Sequence, residues 1–554
     1  MSESLQQKGK RMNVTKRSLL KGIAFAGLSF TTIGKVTAQG GKAQYVVIAQ
    51  REDVGTRLER AGFTLKQSLA DGQVLIVHGS EGEAESLRDT AGVRRAARDV
   101  QYELELPARC ELPDANALDG QGAADWYENL WDKQNSEVVE ANKRATGAGT
   151  SIGIIDTGID YAHPDLTTLD TAAGRLFRTG DVRSGAGTGI IINNPDAPAD
   201  PEPEEDPDKS SAVQVVDQHV AADVQGHGTH VGGIAAADPE TGVGGFFGSG
   251  VQGVAPDATL MSCRVFWWEF FDPADPEEPA AWGLTTTTGD ILTAIDYCAE
   301  NDLDVVNLSL GTAPIDPSAH SEQVLRTIKL AYEQTVRSAV NRGTVVVASA
   351  GNADTDLQRG GVFSLPNSTN GALSVSALGP NDERAFFSNY GTSEIDVGAG
   401  GGGYETFLKT LFGIREWILA GAPLRVSEHP LEAGDEGELW LDEDGAVVFD
   451  RGEADRIIEF ESPAWPYPFN LVFSTTSPTN EGAPYGWKAG TSMSAPNTAG
   501  LVALARELEP EARPAQVESA IKKAADSEAG RSDPALGAGR INAKATVDSL
   551  GTSK

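Results

Sequence analysis

The chain has 554 residues, with 80 acidic against 45 basic side chains and a formal net charge of −35. So acidic a surface excludes nucleic acid as a partner, because phosphate binding depends on basic patches. Three cysteines exclude a disulfide framework, no Cys-x-x-Cys metal spacing occurs, and 40% hydrophobic content with 62 glycines fits a globular, loop-rich protein. A length of this order suggests about three or four structural units.

The first unit reads as an export signal over residues 1–38. Lys8, Lys10, Arg11, Lys16 and Arg17 precede an apolar stretch, Gly22 to Gly34, and Val36-Thr37-Ala38 offers a small-residue cleavage site. Thr15-Lys16-Arg17-Ser18-Leu19-Leu20-Lys21 resembles a twin-arginine signal, with Lys16 in place of the first arginine. The expected location is therefore extracellular. The stretch is too short to span a bilayer, and no later segment has about 18 uninterrupted apolar residues, so no membrane anchor is expected.

Gln44 to Glu105 alternates strand-like and helix-like stretches (Tyr45–Ala49, Gly55–Ala61, Gln73–His78, Glu81–Thr90, Val93–Ala97), which predicts a small α+β module over 43–106. Residues 107–129 are rich in Ala, Gly and Asp and read as a linker. From Ser151 onward strands alternate with helices. Ile152–Ile155, Asp304–Ser309, Thr344–Ala348 and Leu373–Ala377 are near-continuous apolar runs, as suits strands covered on both faces. The class is α/β, a mostly parallel sheet flanked by helices. Val324, Ile328, Tyr332, Val336 and Val340 recur at helical spacing and predict a helix Glu322–Arg342 that Gly343 can cap.

Three insertions interrupt the pattern. Pro198 to Asp208 is acidic and proline-rich, a solvated loop. Trp267 to Thr288 carries Trp267, Trp268, Phe270, Phe271 and Trp282; two readings stand, an apolar subsite or packing of the loop onto the body. Residues 404–468 form the longest, with strand-like Glu438–Leu441 and Ala446–Asp450 around the turn signal Asp442-Glu443-Asp444-Gly445. Cys263 and Cys298 read as small buried apolar residues, and a bridge between them stays open.

Three blocks carry chemistry. Asp156 ends the run Ile152–Ile155, where an open α/β sheet places its functional groups. His227 lies between Gly226 and Gly228, before a helix-like stretch. Ser492, in Gly490-Thr491-Ser492-Met493-Ser494-Ala495-Pro496, starts a helix-like segment whose free N–H groups and dipole stabilise negative charge. A serine hydroxyl is a poor nucleophile until a base takes its proton, and the base needs a carboxylate to fix its tautomer. Each block alone has a plainer reading: a turn aspartate, a core histidine, an N-cap serine. His227-x-x-His230 also raises a metal site, although no glutamate inside the block and no distant cluster supplies further ligands. His230 reads as a structural histidine.

In this order the blocks resemble the subtilisin-like serine endopeptidases (the subtilase family), and with the acidic, arginine-over-lysine composition the chain resembles secreted proteases of halophilic archaea. Gly253-Val254-Ala255-Pro256, Val306-Asn307-Leu308-Ser309-Leu310-Gly311 and Gly537-Ala538-Gly539-Arg540-Ile541-Asn542 resemble further family landmarks over a catalytic domain 130–550. The resemblance implies a nucleophile Ser492, a base Asp156-oriented His227, and an oxyanion site made by the Asn352 amide and the Ser492 N–H. It also implies peptide binding along Ser309, Leu310, Gly311, Ser349, Ala350 and Gly351, with extended peptide pairing as an added strand.

The same resemblance makes 43–106 an inhibitory propeptide whose tail, roughly Val100 to Leu106, lies along the cleft, and puts the maturation cut in 107–129. The expected protein is a monomeric zymogen acting on protein and peptide substrates, with its propeptide as intramolecular inhibitor and no cofactor for the chemistry. Asp165 matches a calcium-ligating aspartate of the family, whereas Phe246 and Phe247 stand in the loop Gly244–Gly253 where relatives have oxygen ligands. Asn497 stands where the family usually has histidine. That departure, with the altered loop, motivates a catalytically silent binding protein as the alternative; a metal-dependent hydrolase on His227 and His230 is the other.

Overall fold

The structure is a computed structural model. It describes residues 42–104, 130–195, 212–239, 250–271, 281–315, 317, 321–359, 361–405, 469–527 and 533–550, and the backbone of short strands within 12–15, 28–38 and 424–458. The expected linker 107–129, the acidic loop 198–208 and the Phe246-Phe247 loop fall outside these residues.

The near-continuous apolar runs do form one sheet. Its eight strands lie in the order Asp181–Arg183, Arg175–Arg178, Thr259–Arg264, Ser151–Asp156, Val305–Leu308, Val345–Ser349, Ala372–Leu378 and Val397–Gly400. All neighbours are parallel except the first pair. Side chains alternate between two cores, as the period-two geometry of a strand demands. Ile152, Ile154, Val345 and Val347 face helices His227–Ala236 and Thr491–Leu508, whereas Ile155, Val306, Val346 and Ala348 face helices Thr288–Glu300 and Glu322–Arg342. The last of these spans the range its periodicity predicts, and Gly343 ends it with φ +112°. Ser151–Asp156 sits where the two wings of the sheet meet, flanked by Thr259–Arg264 and Val305–Leu308, so its carboxyl end opens at a topological switch point.

The N-terminal module has its own core of Tyr45, Val47, Val54, Leu58, Leu75, Val77 and Leu87. Lys42–Ala49 pairs with Val74–Gly79 on one side and Val93–Arg98 on the other, and Thr64–Leu69 completes the antiparallel sheet. It docks on the second helical layer: Ala70 N donates to Asp296 Oδ1 at 3.0 Å, and Arg342 Nη2 to Asp71 Oδ1 at 2.7 Å. Its final strand, Val100–Leu104, pairs antiparallel with Ala281–Thr287.

One pairing was not expected from the sequence, and an expected one is extended. The strand directly beside Leu310–Thr312 is Leu28–Lys35, parallel to it and antiparallel to Val100–Leu104. Leu28-Ser29-Phe30-Thr31-Thr32-Ile33, read from sequence as the apolar part of a signal, is also rich in β-formers, and an open strand edge takes such a segment. In the long insertion the expected hairpin is present, Glu436–Leu441 against Val447–Asp450, joined by Leu424–Ser427, Asp455–Ile458 and, from the chain start, Met12–Thr15.

Candidate active site

Asp156 is the last residue of its strand and is fully buried. Its Oδ1 accepts from Thr157 N at 2.7 Å and meets His227 Nδ1 at 2.8 Å. His227 is the first residue of the helix His227–Ala236 and is also buried, and its Nε2 has no hydrogen-bond partner. The imidazole therefore has one nitrogen fixed by a carboxylate and the other unengaged.

The flanking glycines are required by the protein's own backbone. A Cβ on Gly228 would lie 2.1 Å from Gly158 O, and one on Gly226, at φ +108°, would lie 2.4 Å from the Glu481 carboxylate. The loop before His227 is held by Asp223, which sequence reasoning missed. Asp223 Oδ1 accepts from Thr157 Oγ1 (2.8 Å), Gln225 N (2.9 Å) and Gly226 N (2.8 Å); Oδ2 accepts from Thr229 N (2.9 Å) and Thr229 Oγ1 (2.5 Å). Thr157 Oγ1 in turn accepts from Gly228 N at 2.9 Å. The available signal was a carboxylate four residues before the histidine, inside the otherwise apolar Ala221-Ala222-Asp223-Val224.

Ser492 is the second residue of the helix Thr491–Leu508. Its Oγ donates to Ser309 O at 3.0 Å, and Ser309 Oγ donates to Ser492 O at 2.7 Å. Asn352 Oδ1 accepts from Thr491 N (2.9 Å) and Thr491 Oγ1 (3.0 Å), which fixes the amide by its oxygen and leaves Nδ2 as the outward donor. Leu310 and Gly311 lie on the strand edge paired with Leu28–Lys35. Ser349 ends the strand Val345–Ser349, but the next two residues use their backbone inside the protein. Ala350 N donates to Val375 O (3.0 Å), Ala350 O accepts from Asn389 Nδ2 (2.9 Å), and Gly351 N donates to Thr491 Oγ1 (3.0 Å). Ala350 thus has its N–H committed inside the protein, and its carbonyl already accepts one hydrogen bond.

Other candidates fall to structural roles. His230 is buried, its Nε2 donates to Gly486 O at 3.2 Å, and burial holds its pKa well below the usual value, so it is neutral. Among the described residues no group of three or more His, Cys, Asp or Glu is arranged to hold a metal ion. Asp165 accepts from Val251 N at 2.8 Å and from the Tyr485 hydroxyl, and burial raises its pKa. Asp165 thus ties the segment at Val251 to the body, and a calcium role for it stays an implication of the resemblance. Trp267 and Trp268 are buried; Trp268 Nε1 donates to Val224 O at 2.9 Å and so braces the loop before His227, while Trp267 lies under the Arg178 guanidinium. Phe270 remains 43% exposed, edge-on to Trp282 at 5.4 Å.

Asn497 is tied into a buried cluster one turn beyond Ser492. Lys133 Nζ donates to Asn497 Oδ1 (2.9 Å) and Asp132 Oδ2 (2.5 Å), while Asn497 Nδ2 donates to Asp132 Oδ2 (3.1 Å) and Gly400 O (3.1 Å).

Residues 147–539 match the model of the subtilase family, Peptidase_S8. The chain belongs to the subtilase family. The thermophilic serine proteinase of Bacillus sp. (strain AK1) is 29% identical over 277 residues, 50% of this chain and 49% of that protein, so the chain spans about half the length of this relative. The extracellular protease of Xanthomonas campestris pv. campestris is 26% identical over 524 residues, 93% of this chain and 68% of that protein. Among solved structures, the epidermin leader peptide processing serine protease of Staphylococcus aureus shares the fold, with a TM-score of 0.58 and 17% identity over 93% of this chain and 99% of that one. Subtilisin-like α/β architecture follows from both kinds of likeness.

Proposed function

We propose that the chain is an exported serine endopeptidase, made as a zymogen, that hydrolyses peptide bonds through an acyl-enzyme. The observation that carries this reading is the His227 imidazole, bonded through Nδ1 to buried Asp156 with Nε2 unengaged. Such an imidazole is held in the tautomer that takes a proton at Nε2. In the reaction the Ser492 hydroxyl turns from Ser309 O to His227 Nε2, gives up its proton and attacks the carbonyl carbon. The Ser492 N–H, at a helix N-terminus, and Asn352 Nδ2 then hold the oxyanion. His227 passes the proton to the leaving amine, and water repeats the cycle on the ester.

Substrate would pair with Leu310–Gly311, while Ser349, Ala350 and Gly351 form a wall of the cleft rather than a pairing edge. Residues 43–106 serve as the propeptide, docked on helices Thr288–Glu300 and Glu322–Arg342. Release of both Val100–Leu104 and Leu28–Lys35 opens the cleft, which ties activation to removal of the chain's start as well as to a cut in 107–129. The export reading draws on the charged and apolar start of the chain; among the described residues no helix is long and apolar enough to cross a membrane. The net charge of −35 suits a salt-rich medium. Monomeric action and chemistry without a cofactor complete the proposal.

The test is Ser492→Ala, assayed on casein and with a fluorophosphonate probe. Loss of both hydrolysis and labelling is expected. Undiminished hydrolysis removes the assignment. Labelling of neither the variant nor the processed wild type favours the silent binding protein.

A further inference from the structure

Cys263 lies on the strand Thr259–Arg264, in register with Ile155, one residue from the Arg264–Asp156 pair. Cys298 lies in the last turn of the helix Thr288–Glu300. Both are free and fully buried, and their sulfurs are 3.4 Å apart. Gly153 packs against Cys298 so closely that a Cβ there would lie 3.0 Å from Sγ and 2.9 Å from Leu303 Cδ2. The mechanism uses neither thiol.

We infer that Cys263 and Cys298 are a disulfide-forming pair, closed in the exported protein, which staples the helix Thr288–Glu300 to the sheet beside the Asp156 strand. Two thiols need not touch to fill a core as small apolar groups. The sulfurs, one from the sheet and one from the helix covering it, are in contact at 3.4 Å and must close by roughly 1.3 Å to reach the ~2.05 Å of a disulfide. The staple has a mechanical logic. The N-terminus of that helix receives Asp99 of the N-terminal module through Gly289 N at 3.0 Å, so this element must stay in place when the module leaves.

The oxidant is a low-molecular-weight disulfide. One cysteine thiolate attacks it to form a mixed disulfide and expels one small thiol; the second thiolate attacks the mixed disulfide and expels the other. The protein gives up two protons and two electrons, and two small thiols carry them. The neighbouring Cys263 sulfur, and then burial, hold the Cys298 thiol well above its usual pKa in the folded state. The exchange therefore belongs to folding, before the core closes, and the proposal needs no reactive thiol in the native protein.

The test uses the full-length Ser492→Ala chain, folded in a mixture of oxidised and reduced glutathione, then denatured in N-ethylmaleimide and mapped without reduction. This readout does not depend on activity, so it fails or succeeds separately from the peptidase reading. A Cys263–Cys298-linked peptide, 2 Da lighter than the two thiol peptides together, is expected. Alkylation of both residues, or linkage of either to Cys110, overturns the proposal. The melting temperature supplies a second reading. Cys263→Ala, Cys298→Ala, the double variant and wild type folded in excess reductant should all melt lower than the oxidised protein. The double variant should lose no more than either single one. Wild type melting alike with and without reductant would also overturn the bond.

Discussion

Ser309 and Ser492 exchange hydrogen bonds: Ser309 Oγ donates to Ser492 O at 2.7 Å, and Ser492 Oγ donates to Ser309 O at 3.0 Å. The first bond has a cause in sequence. Pro496, inside the helix Thr491–Leu508, has no N–H to give the carbonyl four residues back, which is that of Ser492. Ser309, oriented by Asn307 Nδ2 at 2.9 Å, supplies the missing donor. Ser309→Ala should orphan this buried carbonyl and cost about 1–3 kcal/mol in urea unfolding. Ser309→Thr should recover part of it. An unchanged midpoint for the alanine variant would mean that the carbonyl finds another donor.

Asn352 is predicted to matter to rate and not to binding. Its oxygen is engaged by Thr491 N and Oγ1, so the amide cannot flip without losing two bonds. Asn352→Ala should lower kcat by ~10²–10³, the range known for one oxyanion donor in subtilisin itself, with KM little changed. Thr491→Val, which keeps the N–H and loses the hydroxyl, should give a smaller loss of kcat.

Asp223 should act through His227. With five donors on its carboxylate it fixes the loop Gln225–Gly226 and, through Thr157, Gly228. Asp223→Asn exchanges an acceptor oxygen for a donor NH₂ among groups that all donate. Small misplacement of a catalytic group can cost about 10² in rate, and a kcat loss of that order, measured well below the lowered melting transition of the variant, is expected. An unchanged kcat under those conditions would make Asp223 merely structural.

Much of this arrangement was legible before any coordinates, and the reasons differ by residue. Ile152–Asp156 and Glu322–Arg342 announce themselves because apolar period alone fixes a buried strand or an amphipathic helix. Asp156, His227 and Ser492 stand in short blocks of small residues that few other roles explain. Asp223 and Thr157 were missed because a lone carboxylate and a lone hydroxyl look like any turn residues until their donors converge from three segments. Ala350 was assigned to strand pairing because sequence does not say which backbone groups are already taken. Leu28–Lys35 was read by hydrophobicity as a signal, although its β-branched and aromatic residues equally suit the strand edge it occupies.

The cluster around Asn497 predicts a stability effect with a particular sign pattern. Lys133 is fully buried, and burial pulls its pKa down against the opposing pull of Asp132. Breaking a buried pair by removing one partner leaves an uncompensated charge and typically costs about 3–5 kcal/mol. Lys133→Met should fall in that range, whereas Asp132→Asn with Lys133→Met should recover much of the loss, read as urea midpoints. Asn497→Ala should cost less than Lys133→Met, because the Asp132–Lys133 ion pair survives it.

Docking of the N-terminal module should weaken as pH rises toward neutrality. Asp99 is buried, bonded to Gln44 Nε2 at 2.7 Å and Gly289 N at 3.0 Å. Burial, reinforced by the nearby Asp290 carboxylate, raises its pKa from 3.8 to about 7. Above its ordinary pKa the undocked residue is ionised, while the docked one retains its proton up to about 7. Its contribution to docking is therefore fully present below about pH 4, declines through the interval, and is gone above about pH 7. Asp99→Asn mimics the protonated form and should remove that slope. In the Ser492→Ala precursor, the melting temperature of wild type minus that of Asp99→Asn should fall between pH 4 and pH 7 and flatten beyond. Asp290, whose pKa burial also raises, remains in both proteins, so of its titration only the part coupled to Asp99 enters the difference. A difference that rises with pH, or stays constant, would show that Asp99 is held ionised at the interface.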